Sequence, residues 1–345
     1  MDIKKLLKIA TNKAASDLHI VPNRPPILRI DGELKVLPDF ENIKPGEAEK
    51  MIFAILNNKQ KEDFIRDREL DFSYEISELS RYRINLHWTR GRVGLVARVI
   101  STKIPNLEEI QLPKDIINQL INKTEGLILI TGPTGCGKST TLAALIEKIN
   151  TERFANIITL EDPIEFIFEP KRSIIKQRQL GTDIKSFHGA LKHVLRQDPN
   201  VIMVGEMRDL ETIATTITLS ETGHLVLATL HTHSASQTID RIIDVFPPHQ
   251  QAQIGLQLSL SLQGVISQHL LPKIDGGRVA AREILINTPA VANLIRENKI
   301  AQLKTIIQTS LNDGMFTMEQ DVKELFDEKI IDESTALAYL SKTND

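Results

Sequence analysis

Cysteine is nearly missing from this sequence. Cys136 is the single one in 345 residues, which excludes an internal disulfide and any Cys-x-x-Cys zinc site. Aromatic residues are scarce at 4%, and the formal net charge is only −3. A nucleic-acid translocase would call for an overall basic field and aromatic stacking platforms, so neither count favours one and no nucleic-acid partner is expected. The longest apolar runs fall short of the roughly 18 residues that span a bilayer. Met1-Asp2-Ile3-Lys4-Lys5 opens an amphipathic helix and has no apolar centre of a signal peptide. Low-complexity segments and repeats of fixed period are also missing. What remains is an ordinary soluble composition, 41% hydrophobic and 25% charged, long enough for two domains. A cytoplasmic protein with no membrane span is the expectation.

The richest stretch is Gly132-Pro133-Thr134-Gly135-Cys136-Gly137-Lys138-Ser139, which fits the phosphate-binding loop pattern G-x-x-x-x-G-K-[ST]. Its surroundings fit as well. Leu127-Ile128-Leu129-Ile130-Thr131 reads as a buried strand, and Thr140 to Ile146 as a helix with its apolar residues on one side. Glycines let successive N–H groups turn toward one anion, and the helix start adds its free N–H groups and positive dipole end. Lys138 would neutralise the β- and γ-phosphates of ATP, Ser139 would hold Mg²⁺, and Gly132 to Thr140 would line the nucleotide. Cys136, at a helix start, is placed where a thiol pKa falls and the sulfur becomes oxidisable. The reading preferred over that one is a small residue facing away from nucleotide.

The first hundred residues alternate short helical and strand patterns: a helix over 2–14, strands over 16–20, 27–30 and 33–37 with an Asp31-Gly32 turn, two helices over 45–66, and strands over 71–76, 82–88 and 93–100. They predict a small α+β domain with an antiparallel sheet. Residues 101–112, with Pro105 and little periodicity, read as a linker and natural hinge. Apolar strands then alternate with helices, at 126–131, 156–160, 200–204 and 224–230, with two or three more between 263 and 286. That pattern predicts an α/β domain over 113–288 with a mostly parallel sheet and helices on both faces. Pro247-Pro248 starts a long helix, and from Thr288 onward, through 289–345, the chain reads as wholly helical.

Several strand tips carry chemistry. Val201 to Val204 runs into Gly205-Glu206, and with glycine at the usual aspartate position Glu206 reads as the acid that activates water. Leu160-Glu161-Asp162-Pro163-Ile164-Glu165 puts three carboxylates at another tip, where they repel unless a positive charge such as Mg²⁺–nucleotide sits nearby. His231, just past the strand over 224–230, lies on the edge where open α/β sheets bind ligands and can face a γ-phosphate. His224, at the other end, reads as structural or interfacial; His231 and His233 lack a third metal ligand. In the first domain Arg83 and Arg98 lie inside strand patterns. They are candidates to reach a neighbouring subunit's phosphates in a ring-shaped ATPase.

Assembled in order, these residues resemble the secretion ATPase superfamily of type II secretion and type IV pilus motors, and within it the pilus retraction ATPases. Ala15-Ser16-Asp17-Leu18-His19 and Arg29-Ile30-Asp31-Gly32 carry the likeness near the start, and the phosphate loop has cysteine where the family usually has serine. Leu160 to Phe166 is similar to the family's acidic box, Val204-Gly205-Glu206-Met207-Arg208-Asp209 to its atypical Walker B, and Thr222-Gly223-His224 through His231-Thr232 to its histidine box. Ala290-Val291-Ala292-Asn293-Leu294-Ile295-Arg296-Glu297 resembles the retraction motif AIRNLIRE, departing at Val291 and Ala292. Assembly and secretion members usually carry an extra N-terminal domain and a tetracysteine zinc loop, which are not found here.

The resemblance implies a PAS-like domain over 1–100 and a RecA-like P-loop ATPase domain over 113–288, assembled as a homohexamer at the cytoplasmic face of the inner membrane. Nucleotide would sit between the domains, with Glu206 catalytic, Glu161 and Asp162 arranging Mg²⁺ and water, His231 facing the γ-phosphate, and Arg83 and Arg98, with Arg278 as a weaker candidate, completing the site. The implied function is ATP hydrolysis driving pilus retraction and twitching motility. The implied partners are a pilus platform protein in the inner membrane and related motor ATPases. Energising pilus assembly or protein secretion is the alternative within the superfamily, and a nucleotide-gated scaffold the alternative outside it.

Overall fold

The computed structural model describes residues 2–30, 32–76, 79–100 and 104–342, and the chain divides into two compact units, 1–103 and 104–345.

In the first unit the elements are α1 (Ile3–Asn12), β1 (Asp17–Ile20), β2 (Ile27–Ile30), β3 (Glu33–Val36), α2 (Pro45–Phe53), α3 (Asn58–Asp67), β4 (Glu69–Ile76), β5 (Ser80–Thr89) and β6 (Arg92–Ile100). Local chemistry sets the helix starts: Asp2 caps α1 through the Lys4 N–H, and Asn57 with Gln60 forms a capping box on α3. The strands form one antiparallel sheet in the order β3-β2-β1-β6-β5-β4. Period-two alternation buries Leu18, Ile20, Leu28, Tyr82, Ile84, Leu86, Leu95 and Ala97 in one core with Ile3, Leu6 and Leu7 of α1. Asp17, Arg83 and Arg98 occupy the alternate positions, on the opposite face. Of the Asp31-Gly32 turn expected between β2 and β3, Asp31 lies outside the described residues.

The second unit holds α4 (Lys114–Ile121), β7 (Gly126–Thr131), α5 (Lys138–Glu152), β8 (Asn156–Glu161), β9 (Ile174–Gln179), α6 (Phe187–Val194), β10 (Val201–Val204), α7 (Leu210–Glu221), β11 (Leu225–Leu230), α8 (Ala235–Asp244), α9 (Pro248–Ser261), β12 (Leu262–Pro272), β13 (Arg278–Ile286), α10 (Pro289–Arg296), α11 (Leu303–Thr309), α12 (Met318–Asp327) and α13 (Glu333–Lys342). Its seven-stranded sheet runs β13-β12-β7-β11-β10-β8-β9, parallel throughout except for the antiparallel β12–β13 pair. The inner strands β7, β10 and β11 are buried along their whole length, as strands covered on both faces must be. The order places the C-terminal tips of β7, β11, β10 and β8 side by side on one edge.

Three features depart from the sequence expectation. The strand β9 is an addition: Ile174-Ile175-Lys176-Gln177-Arg178-Gln179 lies at the sheet edge, polar because one side meets water. The region after Thr288 is not wholly helical, since Phe316 exchanges main-chain hydrogen bonds with Ile284 at the margin of β13. Of the segment 101–112 read as a linker, 101–103 lie outside the described residues. Residues 104–112 belong to the second unit, where Leu107 and Leu112 join the core and the Arg282 guanidinium donates to the carbonyls of Ile110 and Gln111. Among the described residues no helix is long and apolar enough to cross a membrane.

Candidate active site

The loop after β7 is shaped by its glycines. Gly132 has φ +140°, and a Cβ there would fall 2.2 Å from the Gln268 carbonyl oxygen and 2.6 Å from Cys136 Sγ, so no larger residue fits. Gly137, at φ +91°, is the N-cap of α5 and offers no side chain to the first-turn N–H groups, which leaves them for an anion. Lys138 begins the helix. Its Nζ is held inside the loop, donating to the Gly132 carbonyl (2.7 Å) and the Pro133 carbonyl (3.0 Å). Burial pushes its ammonium below the usual lysine range, against the opposing pull of Cys136, Glu206 and Glu165. Pro133, Ser139 and Thr140 are half-buried around the loop and Thr134 and Gly135 are exposed.

Because β11 pairs with β7 on one side and β10 on the other, His231 falls between the loop and Glu206. Its Nδ1 lies 3.4 Å from Lys138 Nζ and its Nε2 3.0 Å from Glu206 Oε1. The other Glu206 oxygen meets Arg208 Nη2 at 2.9 Å, and Arg208 Nη1 lies 3.9 Å from Asp162. Partial burial pushes the Glu206 carboxyl up, but Arg208 and His231 outweigh it and hold the group below the ordinary carboxylate range. The structure thus gathers Lys138, His231, Glu206 and Asp162. It adds Arg208, which the sequence offers only as one letter of the Walker B likeness.

Glu161 is placed differently from its expected role. It closes β8, is 6% exposed, and accepts hydrogen bonds from Thr159 Oγ1 (2.6 Å), Gln177 Nε2 (3.1 Å) and the Glu165 N–H (3.4 Å). Burial pushes its carboxyl above the ordinary range. The acidic tip is therefore not three like charges awaiting a metal: Glu161 faces inward and Arg208 stands beside Asp162. With its oxygens so engaged, Glu161 does not fit as a direct Mg²⁺ ligand, whereas Ser139 on the first turn of α5 and the part-exposed Asp162 do. No three His, Cys, Asp or Glu side chains among the described residues form a metal cluster of their own.

Cys136 corrects the redox reading. The thiol is 3% exposed, packed toward Gly132 and Gln268, and burial pushes its pKa up rather than down. His224 Nδ1 lies 3.2 Å from the Leu219 carbonyl at the end of α7. In the first unit Arg83 and Arg98 are direct cross-strand partners on β5 and β6, and Asp17 binds Arg98 Nε at 3.0 Å. Two like charges facing each other repel, and the nearly buried Asp17 offsets one of them. Arg278 opens β13 and is exposed. In α10, Val291 and Ile295 face the core and Ala292 is half-buried, so the step from isoleucine to valine keeps the apolar stripe.

Gln268 joins the site without any expectation from the sequence. It lies on β12 with 2% exposure, and its amide bridges Thr141 Oγ1 (2.9 Å) and the Cys136 carbonyl (2.7 Å). Its one signal is the polar run Ser267-Gln268-His269 set between apolar residues of the strand.

Comparison with known proteins agrees with this arrangement. The profile of the family described as type II/IV secretion system protein matches residues 1–281. The type IV pilus retractation ATPase PilT of Pseudomonas aeruginosa is 45% identical over 338 residues, covering 97% of each chain. The type IV pilus ATPase PilU of the same organism is 39% identical, covering 100% of this chain and 90% of that one. Among solved structures, that of the pilus retraction motor PilT with bound ADP superposes with a TM-score of 0.92 at 44% identity, covering 98% of this chain and 96% of that one. The resemblance read from the ordered motifs therefore holds along nearly the whole chain: it belongs to the type II/IV secretion system protein family.

Proposed function

We propose that this chain is an ATP-hydrolysing motor that powers type IV pilus retraction. One observation carries the catalytic part: a hydrogen-bonded row, Lys138–His231–Glu206, laid across the tips of three adjacent strands at 3.4 and 3.0 Å. Lys138 and the N–H groups at the start of α5 bind the terminal phosphates. Glu206, anionic at neutral pH because Arg208 and His231 hold its proton affinity down, orients the attacking water and accepts its proton. His231 aligns that carboxylate and faces the γ-phosphate. Ser139 and Asp162 would hold Mg²⁺ beside the phosphates, where the ion would neutralise charge on the transferring group. Arg83 and Arg98 act in trans in a homohexameric ring, and hydrolysis moves one unit of the chain against the other.

The retraction role itself is supported by the relatives' names, PilT at 45% identity above all. The partner it requires is a pilus platform protein in the inner membrane, which this chain would meet at the cytoplasmic face. Deleting the gene in its own organism separates retraction from assembly. Abundant pili on cells that cannot retract them support retraction, and cells without pili assign the chain to assembly.

A further inference from the structure

We infer that Gln268 is a positioning residue of the nucleotide site, setting the Cys136–Gly137 peptide plane so that the Gly137 N–H faces the phosphates. The inference rests on the reading of Gly132 to Ser139 as a phosphate loop. β12 runs parallel to β7, with Ser267 opposite Thr131, so the next residue, Gln268, comes up behind the loop. Neighbouring strand residues point to opposite faces. Ser267 turns to Thr131, at 2.8 Å, while Gln268 turns to α5.

The amide of Gln268 is used at both ends and in one orientation only. Its Nε2 donates to the Cys136 carbonyl at 2.7 Å, and its Oε1 accepts from Thr141 Oγ1 at 2.9 Å. Thr141 is itself buried on the first turn of α5. In a trans peptide the C=O and the following N–H point in opposite directions. Tying the Cys136 carbonyl to Gln268 on the protein side therefore aims the Gly137 N–H at the other side, where an anion would lie. The backbone of Gln268 closes the same wall, because its carbonyl excludes a side chain at Gly132. The loop is thus held in its anion-binding shape before a phosphate arrives, and the cost of ordering it is removed from binding.

The proposal is specific to the phosphates beyond the first, so its test compares fluorescent ADP with fluorescent AMP on the full chain. Gln268→Leu removes both bonds at similar volume, and Gln268→Glu sets an oxygen against the Cys136 carbonyl. Both are expected to weaken ADP by about tenfold, the scale of one or two buried hydrogen bonds. AMP affinity should change by less than about twofold, and ATP turnover at saturation by less than about threefold, giving a KM effect without a kcat effect. Thr141→Val, a milder change that preserves the fold if the glutamine variants do not, should weaken ADP alone by a smaller factor. Adding it to Gln268→Leu should cost nothing more. Equal losses for ADP and AMP, an unchanged ADP affinity in folded variants, or additive losses in the double variant would overturn the proposal. Lys138→Ala separates the two levels: unchanged ADP binding in that variant removes the phosphate-loop reading, and lost binding there with unaffected glutamine variants removes only the role of Gln268.

Discussion

The imidazole of His231 joins Glu206 to Lys138, with Nε2 3.0 Å from the Glu206 carboxylate and Nδ1 3.4 Å from the lysine nitrogen. An ammonium only donates, so Nδ1 accepts, Nε2 carries the proton, and Glu206 receives it as a hydrogen bond. One ring thereby couples the lysine proposed to bind phosphate to the carboxylate proposed to handle water.

Replacing His231 by alanine should disorganise Glu206 without emptying the loop. The expected result is a fall in ATP turnover of about 100-fold with nucleotide affinity changed by less than about threefold. Steady-state phosphate release and a nucleotide-binding titration measure the two sides.

The pH dependence follows from Glu206. Its folded-state carboxyl lies below the ordinary range, and only the ionised form accepts a proton from water. Turnover should therefore stay on its plateau down through the ordinary carboxylate range and fall only below it, as pH drops through the depressed value. In Arg208→Gln the carboxyl loses the partner that holds it down, and the acid limb should move to higher pH. Rate profiles of both proteins, taken over the range in which each stays folded, check the direction.

Cys136 should behave as an inert core thiol. Its burial and raised pKa predict that thiol reagents react with it at neutral pH only after unfolding, and that Cys136→Ser keeps turnover within about twofold. Ellman titration with and without denaturant gives the comparison.

Arg282 is a buried cation whose guanidinium holds the carbonyls of Ile110 and Gln111 and whose backbone N–H donates to Asp321. Burial brings the arginine down to about 10 and pushes Asp321 up to about 6. Arg282→Ala leaves those carbonyls and a half-buried carboxylate without their cation, at a cost of about 3 kcal/mol at neutral pH. Below about 6 Asp321 takes up its proton, so the loss should be smaller in mildly acidic buffer. Urea denaturation on either side of that value reads the difference.

How much of this is legible in the sequence depends on where each residue's partners lie along the chain. The phosphate loop and the strands β7, β10 and β11 announce themselves, because strands buried on both faces are continuous apolar runs and the loop chemistry is local. Glu206 and His231 follow from them as residues just past such runs. β9 does not, since an edge strand needs no apolar run. The inward turn of Glu161 depends on Gln177, a residue of that edge strand, and only the shared parity with Thr159 hints at it. Gln268 and Cys136 are 132 residues apart, and no local pattern connects them.

Glu206→Gln tests the central claim most directly, because the amide keeps shape and hydrogen bonding but cannot take a proton from water. ATP affinity within about threefold of the unaltered protein, with phosphate release reduced by about 100-fold or more, is the expected pair of results. Phosphate release near the unaltered rate would contradict it.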